Sequence, residues 1–202
     1  MRHSLPTLLS SLLVTFLLGA AGAAQAQVTS YTTTMSGPRE APPNTSPGTG
    51  TATVVIDNAA NTMAMHVSFS GLAAPTTIAH IHCCTPEPLT GTAAVATTLP
   101  TLPGFPAGVQ SGTYDMTFDL LSPATYNPAF IAGHGGTVAL AEAGLLAGLA
   151  AGTSYFNIHS EAFPAGEIRG FLVAAPIPEP GNLAMWAAGL AGLVGARRWR
   201  RS

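Results

Sequence analysis

The sequence predicts an all-β domain, a sandwich or barrel of short strands, with one helix that crosses between parts of the sheet. Short stretches rich in β-branched residues recur at close spacing and are separated by Gly, Pro and Asn. Several of these stretches alternate apolar and polar side chains, as a strand does when one face is buried. One stretch near the end of the domain has the spacing of a helix instead.

Seven strands are predicted in chain order. In the second and fifth of them apolar side chains occupy every other position, which places these side chains on one face. The predicted strands cover residues 49–56 (TGTATVVI), 63–69, 76–83, 93–99, 113–120, 154–159 and 167–173.

The helix is predicted over residues 137–151. Its apolar residues recur three or four positions apart, and Gly152 stands where a helix commonly ends. The residues that define this spacing are Val138, Ala141, Leu145 and Leu149.

The first 26 residues have the organisation of a secretory signal peptide. Arg2 gives a positive start, residues 8–24 are apolar, and Ala24-Gln25-Ala26 supplies small residues for cleavage. We therefore expect export through the Sec machinery and a mature chain that begins at Gln27. An uncleaved membrane anchor is the alternative.

Residues 176–202 have the features of a second targeting segment. Pro178, Glu179 and Pro180 precede a wholly apolar or glycine stretch at 183–196, and the chain ends in a cluster formed by Arg197, Arg198, Arg200 and Arg201. An apolar stretch of about 14 residues is short of the ~20 that span a bilayer comfortably, and the arginines orient its basic end toward the cytoplasm. This order resembles the PEP-CTERM sorting signal of Gram-negative bacteria. The resemblance implies a short transmembrane helix that acts as a transient inner-membrane anchor. It also implies processing by an exosortase-type enzyme and delivery to the cell surface or extracellular matrix. A plain C-terminal anchor is the alternative.

The charge of the intervening domain, residues 27–175, excludes one class of partner. Arg39 and Arg169 are its only basic residues apart from histidine, against eight Asp and Glu, so that its net charge is +2 − 8 = −6. Phosphate contacts need cations, which argues against nucleic-acid binding. The high apolar content argues against a disordered chain.

Five segments of this domain resemble, in order, the CHRD domain, named from chordin and found in many secreted bacterial proteins. They are GPREAPP, GTGTATVVID, AHIHC, SYFNIHS and PAGEIRGFL, which together extend from residue 37 to residue 172. The resemblance implies an antiparallel β-sandwich of the immunoglobulin-like or superoxide-dismutase-like kind. It implies no defined activity, so the favoured expectation is a non-enzymatic structural or binding role at the surface or in the exopolysaccharide matrix.

Three histidines form the strongest candidate site. His80 and His82 share one face of their strand, and His159 lies with Asn157 on one face of a later strand. If the two strands are neighbours, three imidazoles gather on the face away from the core, a ligand set that suits copper or zinc. The other interpretation is structural, with the histidines solvated or hydrogen-bonded to neighbours and with Glu167 and Arg169 as an ion pair beside them. A His-x-His strand also begins the copper site of copper-zinc superoxide dismutase, but no run of His and Asp follows that would build the zinc half.

Cys83 and Cys84 leave several alternatives open. Adjacent cysteines can form a vicinal disulfide, remain as two thiols, or act as soft ligands beside His80 and His82. Strand alternation places Cys83 opposite the histidines unless the strand ends there.

Two further histidines are weaker candidates. His66 stands alone on a polar strand face, and His134 lies in a glycine-rich loop, from which it could add a ligand. Catalysis has little support. Ser160 and Glu161 beside His159 resemble part of a triad only in sequence, because neighbours on a strand point to opposite faces.

Overall fold

The computed structural model describes residues 28–175, which form one curled antiparallel sheet with few helices. The strands are β1 (Val28–Ser36), β2 (Thr49–Asp57), β3 (Thr62–Ser70), β4 (Thr76–His82), β5 (Gly112–Asp119), β6 (Tyr155–Ser160), β7 (Ile168–Phe171) and β8 (Val173–Ala174). The helices are α1 (Pro128–Gly133) and α2 (Val138–Ala150), and short 3-10 turns occupy Gly37–Arg39 and Pro123–Thr125. The all-β prediction with one helical crossover is confirmed.

The strands are hydrogen-bonded in the order β4-β6-β7-β1-β2-β3-β5, and β8 also pairs with β1. Strands β1, β2, β3 and β5 pair over eight or nine residues each. The junction with the other half is narrow, because β7 pairs with β1 only at Ser36 and Arg169. Side chains directly opposite each other share a face, so one polar face continues across this junction from β4 to β5.

The concave side of the sheet encloses the hydrophobic core. Alternate residues of β2 and β3 are buried there, as the sequence pattern predicted. Phe105, from the long connection between β4 and β5, joins the two halves of the sheet. Its ring lies 5.6 Å from that of Phe69 on β3 and 6.4 Å from that of Phe156 on β6, measured between centroids.

Helix α2 lies within one residue of its predicted bounds. The Thr137 side chain accepts a hydrogen bond from the Leu140 N–H and so caps the first turn, and Gly152 follows the helix with φ 68°. Ala141, Leu145 and Leu149 are buried against the core. The helix carries the chain from β5, at one edge of the sheet, to β6 near the other edge.

Several elements differ from the prediction. Helix α1 was not predicted, and the predicted strand 167–173 is divided into β7 and β8. Strand β1 was not predicted, because its run of threonines offers little contrast between a buried and an exposed face. Residues 93–99, predicted as a strand, are irregular and make only isolated bridges, Val95 to His82 and Thr97 to Tyr126. Pro100 follows this segment, and proline has no N–H to donate to a strand ladder.

The two predicted targeting segments, residues 1–26 and 176–202, lie outside the described residues. Within residues 28–175 no helix is long and apolar enough to cross a membrane.

Candidate metal centre

The polar face of β4, β6 and β7 carries the histidine site. In the antiparallel register His80 lies opposite Asn157, His82 lies opposite Tyr155, and Asn157 lies opposite Arg169. Strands β4 and β6 are therefore neighbours, which was the condition for the three histidines to meet. The apolar residues between them face the core.

The structure brings His80, His82 and His159 together. One potential ligand nitrogen from each ring lies within 4.8 Å of the other two. The ring centroid of His80 lies 5.9 Å from the centroid of His82 and 5.9 Å from that of His159. The centroids of His82 and His159 are 6.2 Å apart. Among the described residues this is the one group of three or more His, Cys, Asp or Glu side chains spaced to hold a metal ion.

Loops cover this face, so the histidines are not solvated as one interpretation of the sequence had it. His80 is 1% exposed and His159 is 8% exposed, while His82 is half-buried. Each ring bonds one backbone carbonyl of a covering loop: His80 Nε2 to Pro100 O at 2.6 Å, His82 Nδ1 to Ala93 O at 2.9 Å, and His159 Nδ1 to Pro164 O at 2.9 Å. A carbonyl accepts hydrogen bonds only, so these three nitrogens carry the ring protons.

The second nitrogen of each ring is left without a partner. His80 Nδ1, His82 Nε2 and His159 Nε2 are buried and make no hydrogen bond to any described residue. An unsatisfied buried polar atom costs free energy, so three together on one face need an explanation. Metal-binding histidines commonly bond a carbonyl through the other nitrogen, which fixes the tautomer and the direction of the ring.

Burial keeps the three imidazoles neutral. Desolvation lowers the pKa of His82 to about 4, with further lowering by His80, His159 and Arg169, against the carbonyl of Ala93, which raises it. Desolvation also lowers the pKa of His80 and of His159. A neutral imidazole has a free lone pair, which is the form that binds a metal.

An aromatic stack supports the centre from one side. The ring of Tyr155 lies parallel to that of His82, with 4.7 Å between centroids and 5° between planes. The Arg169 guanidinium lies 4.7 Å from the centre of the same ring. Because β6 lies between β4 and β7, the imidazole and the guanidinium approach Tyr155 from opposite sides.

A buried polar network fixes the segment at residues 37–43 above the sheet. Glu40 Oε1 accepts a hydrogen bond of 2.6 Å from Asn157 Nδ2, and its Oε2 lies 3.7 Å from Arg169 Nε. Arg169 also donates to the carbonyls of Arg39 and Gly91. Burial raises the pKa of Glu40 to about 7 although Arg169, Asn157 and Ala41 lower it.

The predicted ion pair between Glu167 and Arg169 is wrong. Arg169 pairs with Glu40, and Glu167 instead accepts hydrogen bonds from the Ser46 hydroxyl at 2.5 Å and the Ala73 N–H at 2.6 Å. The sequence could not indicate that Glu40 takes the place of Glu167 as the partner of Arg169, because Glu40 and Arg169 are 129 positions apart.

The cysteines lie apart from the histidine cluster. Cys83 and Cys84 form a vicinal disulfide, and Cys83 is buried in the core opposite the histidines. Their sulfur atoms lie 4.0 and 3.7 Å from the carbonyl oxygen of Gly144 on α2. Gly148 on the same helix has no room for a Cβ beside these sulfurs, so the pair is packed against the helix backbone.

The two weaker histidine candidates are also elsewhere. His134 follows α1, bonds the Phe130 carbonyl at 2.8 Å and packs on the Phe130 ring. His66 is exposed on β3 and pairs with Asp115 directly across on β5. Neither belongs to the group formed by His80, His82 and His159.

Sequence reasoning missed the residues that support the centre. The sequence pattern does not single out Tyr155 or Glu40, and it indicates only that Asn157 shares a face with His159. Asn157 Oδ1 is a further buried atom without a partner on this polar face. Strand alternation could have placed both residues on the face of His159, because Tyr155 stands four positions and Asn157 two positions before it.

A comparison of the sequence with models of known families shows the family of this chain. The family model of the CHRD domain matches residues 31–172, from β1 to the end of β7. The chain belongs to the CHRD domain family. A search of curated proteins and a search of solved structures each found no match to the chain. All three histidines of the cluster lie within the part of the chain that the CHRD family model matches.

Proposed function

We propose that this CHRD domain binds one copper or zinc ion through His80 Nδ1, His82 Nε2 and His159 Nε2. The observation that carries the proposal is the set of three buried nitrogens without partners, each on a ring held by a backbone carbonyl through its other nitrogen. The ligand atoms lie within 4.8 Å of one another. Three nitrogens at tetrahedral positions about 2.1 Å from one ion are about 3.4 Å apart, so binding shortens the distances between the nitrogens by at most about 1.4 Å.

The ligand chemistry supports copper or zinc over harder ions. Three neutral imidazoles without a carboxylate suit these borderline ions, whereas calcium and magnesium prefer oxygen. Three protein ligands leave at least one position open for water or another small ligand. The role proposed is binding, without turnover. A metal-loaded protein that turned over a simple redox or hydrolytic substrate would contradict that part.

The first test is elemental analysis of the full chain after export from a bacterial host, with copper or zinc supplied. We expect about one ion per chain in the wild type and almost none in His82→Ala. His66→Ala is the matched control, because it removes an exposed histidine from the same sheet, and it should keep the metal. Circular dichroism identifies a variant that has not folded. Equal metal content in His82→Ala, His80→Ala and the wild type would sink the proposal.

We also propose that the protein is exported and sorted to the cell surface or extracellular matrix. The order of residues 176–202, with Pro178-Glu179-Pro180, an apolar stretch and four arginines, supports this, as does the secretory pattern of residues 1–26. Mass spectrometry of the protein recovered from the surface should show loss of the terminal arginines. Recovery of the intact chain from the inner membrane fraction would favour a plain anchor.

A further inference from the structure

We propose that the open part of the polar sheet face binds an acidic polysaccharide, a polymer of uronic acid units, with Arg39 as the residue that contacts its carboxylates. This inference deepens the proposed surface role and involves a groove beside the metal centre, with which the groove shares Arg169. It rests on a groove, on the distribution of charge around the groove, and on the chemistry of the groove walls.

The groove lies on the convex face of the sheet over β1, β2 and β7. It encloses about 820 Å³, and a second depression of about 540 Å³ continues it along β1 and β2. Arg39, Thr34 and Thr51 line both, so Arg39 stands where the two depressions meet. A long continuous trough fits an extended polymer better than it fits a single small molecule.

The charge distribution specifies the sign of the ligand. Arg39 and Arg169 are the only Arg or Lys in residues 28–175, and both line the 820 Å³ groove. None of the eight Asp and Glu of this region lines either depression. Arg169 is paired with Glu40, so the unpaired cation of the groove is Arg39, which favours an anion there against the repulsion of the rest of a domain of net charge −6.

The two arginines differ in exposure and in their hydrogen-bond partners. Arg169 is 5% exposed and is held by Glu40 and by the carbonyls of Arg39 and Gly91. Arg39 is exposed, and its side chain makes no hydrogen bond or ion pair with any described residue. A free guanidinium can contact a carboxylate with two parallel hydrogen bonds.

The walls of the groove match a carbohydrate. Thr32 and Thr34 on β1 lie directly across from Thr53 and Thr51 on β2. These four hydroxyls make no hydrogen bond within residues 28–175 and can each donate and accept. Phe171 adds an aromatic surface on which the apolar side of a sugar ring can rest.

The test titrates the purified full chain, stripped of metal, with a short oligogalacturonate by calorimetry, with neutral dextran as the comparison polymer. We expect binding of the uronate and none of dextran, and weaker binding at higher salt. Arg39→Ala should weaken the uronate affinity by about tenfold or more, and Arg39→Lys should retain part of it. Thr51→Val with Thr53→Val should also weaken binding.

The matched control is Thr113→Val with Thr117→Val. These threonines lie on β5, on the same sheet face but outside both depressions, and the change should leave the affinity unaltered. An affinity that Arg39→Ala leaves unchanged, or equal binding of dextran, would overturn the proposal. So would loss of binding in His82→Ala, because the uronate would then be held at the histidine cluster and not in the groove. Metal content and cell fractionation measure the proposed function separately, so failure of the groove leaves those results unaffected.

Discussion

Two parts of one polar sheet face differ in what covers them. Over β4, β6 and β7 three loops close the face, and His80 is 1% exposed. Over β1, β2, β3 and β5 the face is open, and the side chain of His66 is 58% exposed. Both histidines follow the same strand alternation and both lie away from the core. The pattern of a strand decides which face a side chain occupies, and the connections decide whether water reaches it.

The difference extends to what polar groups can do. On the open side, His66 and Asp115 remain hydrated and pair across two strands. On the covered side every buried polar atom needs a partner in the protein, an ordered water or a ligand. The three nitrogens without partners are therefore informative there, whereas the hydroxyls of the open side are free to exchange water for a sugar.

The largest expected effect follows from removing a buried charge. Arg169→Leu leaves Glu40 buried without its cation and removes the guanidinium stacked on Tyr155. We expect a loss of about 3–5 kcal/mol in the free energy of unfolding, measured with urea. The matched change on the open side is Arg39→Leu, which should stay within about 0.5 kcal/mol. The double variant Arg169→Leu with Glu40→Gln should regain part of the loss, and its failure to do so would show that the pair is not the cause.

Metal retention should extend to lower pH than an exposed histidine site allows. Protons displace a metal only when the pH approaches the pKa of the ligands, and burial lowers the pKa of His82 to about 4 from its ordinary 6.5. We expect the metal to be retained on dialysis at about pH 5.5 and to be lost as the pH approaches about 4. Elemental analysis after dialysis measures this. Complete loss already at about pH 6.5 would mean that the cluster is as hydrated as the open face.

The ionisation of Glu40 has a smaller effect, on stability. This effect has the opposite dependence on pH to metal retention, because stability is lost as the pH rises and metal is lost as the pH falls. The pKa of Glu40 in the folded protein is about 7, above the ordinary value of 4.5, so the folded state binds its proton more tightly than the unfolded state does. The stability it contributes is full below about pH 4.5 and is lost as the pH rises through about 7. Glu40→Gln keeps an acceptor for Asn157 and cannot ionise. The melting temperature of this variant relative to wild type should therefore rise between about pH 5 and pH 7.5. A difference in melting temperature that does not change over this pH range would mean that the pKa of Glu40 in the folded protein is not about 7.

Strand alternation was sufficient to predict the shared face of the three histidines but not their surroundings. His80, His82 and His159 could be assigned to one face from spacing alone, and helix α2 could be predicted from its apolar repeat. The carbonyls of Ala93, Pro100 and Pro164 could not, because irregular loops carry no periodicity. The partner of Arg169 was predicted as Glu167, two positions away, but tertiary packing supplies Glu40 from the other end of the domain.

The smallest effect is expected where the open face carries its own side-chain pair, His66 and Asp115. Asp115→Asn removes the charge beside His66 without changing the shape of the side chain. Because the side chains of His66 and Asp115 are 58% and 70% exposed, water replaces the lost attraction, and we expect a change in unfolding free energy of at most about 0.5 kcal/mol. Urea denaturation at low and at high salt checks this, since screening should reduce even that difference. A loss as large as that of Arg169→Leu would mean that the open face is covered in solution, for instance by another copy of the chain, and the contrast between the two parts of the sheet would then fail.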